Sequence, residues 1–79
     1  MLKLYVKTGC PFCERVLDYA SAHSIPLQKR NIYNEEQNLE ELLQIGGKHQ
    51  VPFLRDESAG ITLYESDDII EYLKQRHLK

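Results

Sequence analysis

The stretch Lys7-Thr8-Gly9-Cys10-Pro11-Phe12-Cys13 holds both cysteines of the chain, in a C-x-x-C spacing with a cation just before them. The residues on either side place this pair at a strand-to-helix junction. Leu2, Leu4, Tyr5 and Val6 have the aliphatic and aromatic content of a short strand, and Cys13, Val16, Leu17 and Ala20 then recur on one helical face. Pro11 suits the first helical position, where its missing N–H would have no partner, and this makes Cys10 the N-cap. A sulfur at the N-cap accepts hydrogen bonds from the amides of Phe12 and Cys13. Those amides, the positive end of the helix dipole and the ammonium of Lys7 all favour a thiolate, so Cys10 is the expected nucleophile, with Lys7 assisting. Cys13 lies one turn further along the same face, within reach of Cys10 but on the apolar side, where desolvation favours the neutral thiol. It has the profile of a resolving cysteine.

Other uses of two cysteines fit less well. Two such residues flanking a proline at a helix start fill a core poorly. Zinc needs about four ligands, and beyond the pair there are only His23, His49 and His77, scattered through the chain, so no metal is expected. A permanently closed disulfide across a two-residue gap would gain little from closure entropy.

The 79 residues make one small domain with room for one core and one site. No apolar run approaches the roughly 20 residues of a membrane span, and Met1 leads directly into a strand rather than into a signal sequence. A cytoplasmic location is therefore expected, and there a lone C-x-x-C points to redox work. The net charge of −2, with both signs mixed along the chain, offers no basic stripe for nucleic acid.

The elements that position the cysteines follow in order. The first helix should run from Pro11 to about Ala22, with Glu14, Arg15 and Asp18 facing water, and end at Ser24-Ile25-Pro26. Leu27 to Ile32 supplies a second strand, parallel to the first through the helical crossover. Asn34 with Gln37 resembles a capping box ahead of Leu39, Leu42 and Leu43 at helical spacing, and Gly46-Gly47 stops that helix. Strands starting at Val51-Pro52-Phe53-Leu54 and at Ile61-Thr62-Leu63-Tyr64 flank turn residues and form a hairpin. The last helix opens at Ser66, carries Asp67 and Asp68 in its first turn and buries Ile69, Ile70 and Leu73. The order β-α-β-α-β-β-α describes an α/β domain, a four-stranded mixed sheet covered by three helices, with Cys10 at the carboxyl end of the first strand, where open α/β sheets place ligands.

Two further segments can meet a substrate. Pro52 at a strand start is ordinary if trans; if cis, it would leave the Val51 backbone free to pair with an extended ligand. The amides at the start of the last helix can hold a carboxylate, and Glu65 or Asp67 an ammonium, although Ser66 and Asp68 also suit a simple helix cap.

C-P-x-C after an N-terminal strand, Val51-Pro52 at a later strand and Ser66-Asp67-Asp68 on the last helix together resemble the glutaredoxins of the thioredoxin-like superfamily, over essentially the whole chain. The resemblance implies a cis Pro52 and a glutathione site. The tripeptide's cysteine would pair with the Val51 backbone and its γ-glutamyl end would meet Ser66 and Asp67. Its glycyl carboxylate would face Lys7, with Lys48 or Gln50 nearby. Phe12, Gln50 and Tyr64-Glu65 depart from the usual glutaredoxin residues. Leu63-Tyr64-Glu65-Ser66 with Ile69-Ile70-Glu71-Tyr72-Leu73 instead looks like the N-terminal domain of glutathione transferases, in which an acidic or amide residue followed by serine grips the γ-glutamyl group, so Glu65 joins the binding set.

The activity expected from this resemblance is glutathione-dependent thiol–disulfide exchange. It would reduce glutathione mixed disulfides and protein disulfides, with glutathione as co-substrate, glutathione reductase regenerating it, and the protein a monomer away from membranes. The alternatives are a dimer holding an iron–sulfur cluster through Cys10 and two glutathiones, which Pro11 and Cys13 disfavour, and the thiol domain of a transferase-like protein.

Overall fold

The computed structural model describes residues 2–77. The elements are β1 (Leu2–Val6), α1 (Pro11–Ala22), β2 (Gln28–Asn31), α2 (Glu36–Gly46), β3 (Phe53–Asp56), β4 (Ile61–Leu63) and α3 (Ser66–His77). They form one mixed sheet in the order β2-β1-β3-β4. The β1–β2 pair is parallel, as a helical crossover requires, and β3 and β4 form the expected antiparallel hairpin. β3 also pairs antiparallel with β1, setting Leu4 opposite Leu54 and Tyr5 opposite Phe53.

That register sorts the side chains onto two faces, because successive residues of a strand point opposite ways. Leu2, Leu4, Val6 and Leu54 meet Cys10, Cys13, Val16 and Ala20 of α1 and Ile69 and Leu73 of α3. On the other face Tyr5, Ile32 and Phe53 gather around Leu42 of α2. The cysteine pair is thus part of the larger core, held between a helix and the central strand.

Local signals explain the helix ends, with one correction. α1 closes in a Schellman motif, in which Ile25 N–H donates to the Ala20 carbonyl at 2.8 Å and Ser24 N–H to that of Ser21 at 3.2 Å. Ser24 takes the left-handed conformation there, at φ 54°, and buried Ile25 supplies the apolar contact. The expected capping box at Asn34 does not form. α2 starts later, with Glu35 as its N-cap and no side-chain cap. Asn31 takes over the turn instead, its Oδ1 accepting from the N–H groups of Tyr33 and Asn34 at 2.8 and 3.2 Å, so Asn34 is spent inside an Asx turn. The spacing of Leu39, Leu42 and Leu43 also misleads, since Leu43 is exposed and Asn38 is buried, donating to the Asn31 carbonyl at 3.0 Å. Val51 and Pro52 precede β3 rather than open it.

One buried acid ties α3 to the sheet. Asp56, at the end of β3, is only 2% exposed. It accepts from Tyr72 Oη at 2.6 Å, pairs with Arg76 Nε at 3.1 Å, and caps the turn after β3 by accepting from Ser58 N–H at 3.2 Å. The Tyr72 hydrogen bond is the main cause holding the Asp56 carboxyl below its ordinary range, assisted by Arg76 and opposed by burial.

Candidate functional site

Cys10 occupies the N-cap of α1 in an extended conformation, at φ −90° and ψ 109°, with Pro11 as the first helical residue. Its Sγ accepts the backbone N–H of Cys13 at 3.2 Å. Gly9 precedes it at φ 80°, the left-handed region through which the chain leaves β1 and turns into the helix. Both cysteines are free thiols, and both are nearly sealed, Cys10 at 5% exposure and Cys13 at 1%. Burial pushes the Cys13 thiol up to about 12, reinforced by its hydrogen bond with Cys10, while the Lys7 backbone N–H and charge pull the other way. Cys13 is therefore a protonated, apolar-side thiol at neutral pH. Lys7 itself is exposed at the end of β1.

A groove of about 360 Å³ lies beside α1. It is lined by Phe12, 60% exposed, and Arg15 of α1, by Gln50, Val51 and Pro52 ahead of β3, and by Tyr64, Glu65, Ser66 and Asp67 around the start of α3. The Val51–Pro52 bond is cis. Among the described residues, no backbone hydrogen bond meets the N–H or C=O of Val51. Ser66 is buried at the start of α3, and Gln50 Nε2 donates to Glu65 Oε1 at 3.4 Å. Of the residues assigned to glutathione from sequence, the structure brings together Phe12, Gln50, Val51, Pro52, Glu65, Ser66 and Asp67, while Lys7 is not on the lining.

Two lining residues were missed. Arg15, exposed as expected, also lines the groove and forms an ion pair with Asp67. Its spacing three residues after Phe12 puts both on one side of α1, which is the signal that marks it. Tyr64 is fixed by its hydroxyl, which donates to the Lys48 carbonyl and accepts the Lys48 N–H, both at 3.0 Å. Its ring packs on Phe53 with centroids 4.6 Å apart, and Lys48 Nζ sits 5.6 Å above it.

Gly46 makes room for that tyrosine. A Cβ at position 46 would fall 2.1 Å from Tyr64 Oη and 2.8 Å from its Cζ. In an open helix, Gly→Ala stabilises by up to about 1 kcal/mol. Here Gly46→Ala is expected to destabilise by about 2 kcal/mol through overpacking, because Tyr64 is held on three sides. Urea unfolding of the two proteins checks the sign.

Among the described residues, no helix is long and apolar enough to cross a membrane, and no group of three or more His, Cys, Asp or Glu is placed to hold a metal ion.

Comparison with known proteins agrees with this architecture. The thioredoxin-like protein BC3987, as its T8A mutant, superposes with a TM-score of 0.81 over 100% of both chains at 18% identity, a likeness of fold. A glutathione S-transferase, unclassified 2, from Bombyx mori gives a TM-score of 0.80 at 32% identity over 96% of this chain and 35% of its own. Glutathione transferase Omega 3C from Trametes versicolor gives 0.81 at 28% identity over 99% of this chain and 34% of its own. The chain thus spans about a third of the length of these transferases. No curated protein sequence matches it. The family described as "Glutathione S-transferase, N-terminal domain" matches residues 4–78, nearly the full length, and the chain, with its thioredoxin-like fold, belongs to that family.

Proposed function

We propose that the protein is a glutathione-dependent thiol–disulfide oxidoreductase acting through Cys10 and Cys13. The observation that carries this reading is the Cys10 sulfur at the N-cap of α1, accepting the Cys13 amide, on the same helix whose Phe12 and Arg15 line the groove. There the Cys13 amide N–H and the positive end of the helix dipole both face the sulfur. The Cys10 thiolate attacks the glutathionyl sulfur of a mixed disulfide. The old S–S bond breaks, its electron pair leaves with the substrate thiolate, and glutathione is left on Cys10. A second glutathione thiolate attacks that glutathionyl sulfur, releasing oxidised glutathione and restoring Cys10. With a protein disulfide, Cys10 forms the mixed disulfide and Cys13, losing its proton as it attacks, expels the reduced protein and closes a Cys10–Cys13 disulfide. Two glutathiones reopen that bond.

In this reading the free Val51 backbone takes the cysteinyl residue of glutathione as an added strand, and Glu65, Ser66 and Asp67 take its γ-glutamyl end. The protein works as a monomer in the cytoplasm, where glutathione reductase renews the co-substrate. Lys7 supports the thiolate by its charge. A second reading, a glutathione-holding domain of a transferase-like protein, is favoured by the transferases of which the chain spans about a third.

The test is steady-state turnover of a glutathione mixed disulfide with glutathione reductase and NADPH. Robust turnover is expected. Conjugation of glutathione to an aryl chloride without disulfide turnover would favour the second reading.

A further inference from the structure

Tyr64 holds more than its own ring in place. Its hydroxyl donates to the Lys48 carbonyl and accepts the Lys48 N–H, both at 3.0 Å, so one side chain meets both backbone groups of one residue. Before that point, Gly47 N–H closes α2 by donating to the Leu43 carbonyl at 2.9 Å, and after it the sheet begins at Phe53. Among the described residues, the backbone of 48–51 makes no hydrogen bond other than the two to Tyr64. The hydroxyl is thus what fixes the segment that carries Val51. Space for it is built into α2, because a Cβ at Gly46 would fall against Tyr64 Oη. Phe53 packs on the ring from β3, and Gln50 reaches Glu65 by a longer contact of 3.4 Å.

We infer that Tyr64 is a positioning residue whose hydroxyl clamps this segment, so that Val51 offers its backbone N–H and C=O to an extended ligand in one fixed orientation. A loose segment would give up its conformational freedom each time a ligand paired with it. A clamped one has already given it up on folding, and the difference is read out as affinity. The inference rests on the glutathione reading above and adds a residue that acts through the Lys48 backbone rather than on the reacting sulfurs.

Tyr64→Phe removes the hydroxyl and keeps the ring. Both Lys48 groups lie at an exposed position, so water replaces the lost partner and the fold is kept. Binding to the reduced protein is measured by NMR titration with two non-redox probes. They are S-methylglutathione and its analogue methylated on the cysteinyl backbone nitrogen, which cannot donate to the Val51 carbonyl. Tyr64→Phe is expected to weaken S-methylglutathione about tenfold, the scale of one net hydrogen bond, and to leave the analogue within about twofold, because its pairing with Val51 is already broken. In the absence of ligand, the Lys48 amide should exchange its hydrogen about tenfold faster in the variant. An equal loss for both probes, no loss for either, or unchanged exchange at Lys48 overturns the role given to Tyr64 while leaving a glutathione site standing. Failure of the unmodified protein to bind S-methylglutathione overturns that site and the inference with it.

Discussion

Cys10→Ser is expected to abolish turnover of both glutathione mixed disulfides and protein disulfides, by at least about a thousandfold, because a serine hydroxyl is not ionised at neutral pH and cannot form the intermediate. Cys13→Ser should separate the two activities. Deglutathionylation needs only Cys10 and should stay within about threefold, whereas protein disulfide reduction loses its resolving thiol and stalls at the mixed disulfide. The structure supplies the asymmetry. Both sulfurs are nearly sealed, but the Cys13 thiol is pushed up to about 12 by burial and stays protonated across the physiological range. Cys10 accepts an amide N–H at a helix terminus. Mapping iodoacetamide adducts by mass spectrometry between pH 6 and 9 should therefore find Cys10 modified and Cys13 spared. Equal labelling of the two would remove the nucleophile and resolver assignments together.

Asp56→Asn is expected to cost about 3 kcal/mol at pH 7, a large fraction of the roughly 5–15 kcal/mol that holds a small domain folded. The carboxylate is 2% exposed and collects the Tyr72 hydroxyl, Arg76 and the Ser58 amide, so it joins β3, the following turn and α3 at one point. Most of the loss belongs to the Tyr72 contact. Arg76 is 46% exposed and solvent screens its share, so Arg76→Gln should cost less than about 1 kcal/mol. The pH dependence has a definite sign. The folded carboxyl titrates below its ordinary 3.8, so its contribution is present above that value and fades as pH falls through the lower, folded one. Tyr72 is raised by burial and by Asp56, so its contribution is present below pH 10 and fades as pH rises through its folded value. Urea unfolding at pH 7 and pH 3 checks this: the gap between the natural protein and Asp56→Asn should be smaller at the second than at the first. A gap of the same size at both would show that the charge of Asp56 does not carry the stability.

Both predictions start from features that differ in how far sequence reveals them. The helix start at Cys10 was legible because N-cap, proline and apolar spacing are local and agree with one another. The β-α-β crossover and the closing hairpin followed from chain connectivity. The residues from Gln50 to Pro52 and from Glu65 to Asp67 were singled out by resemblance, and the fold brings them together in one groove. Asn34 misled because a second candidate, Asn31, stood three residues earlier, and the choice between two asparagines depended on where β2 ended. Leu43 misled because helical spacing leaves the width of the buried stripe open, and the sheet reaches Leu42 but not its neighbour.

The sequence by itself determined the order of elements, the position of the dithiol and the acidic start of α3, because these rest on contacts within a few residues. Tertiary structure alone decided what lies across from what. Arg15 meets Asp67 only once α1 and α3 pack side by side on one face of the sheet. Tyr64 finds Lys48 and the space above Gly46 only when β4 and the end of α2 are brought together. Asp56 is buried because α3 folds back over the end of β3. Each of these pairs unites residues distant in the chain, and their partnership depends on packing that no local pattern records.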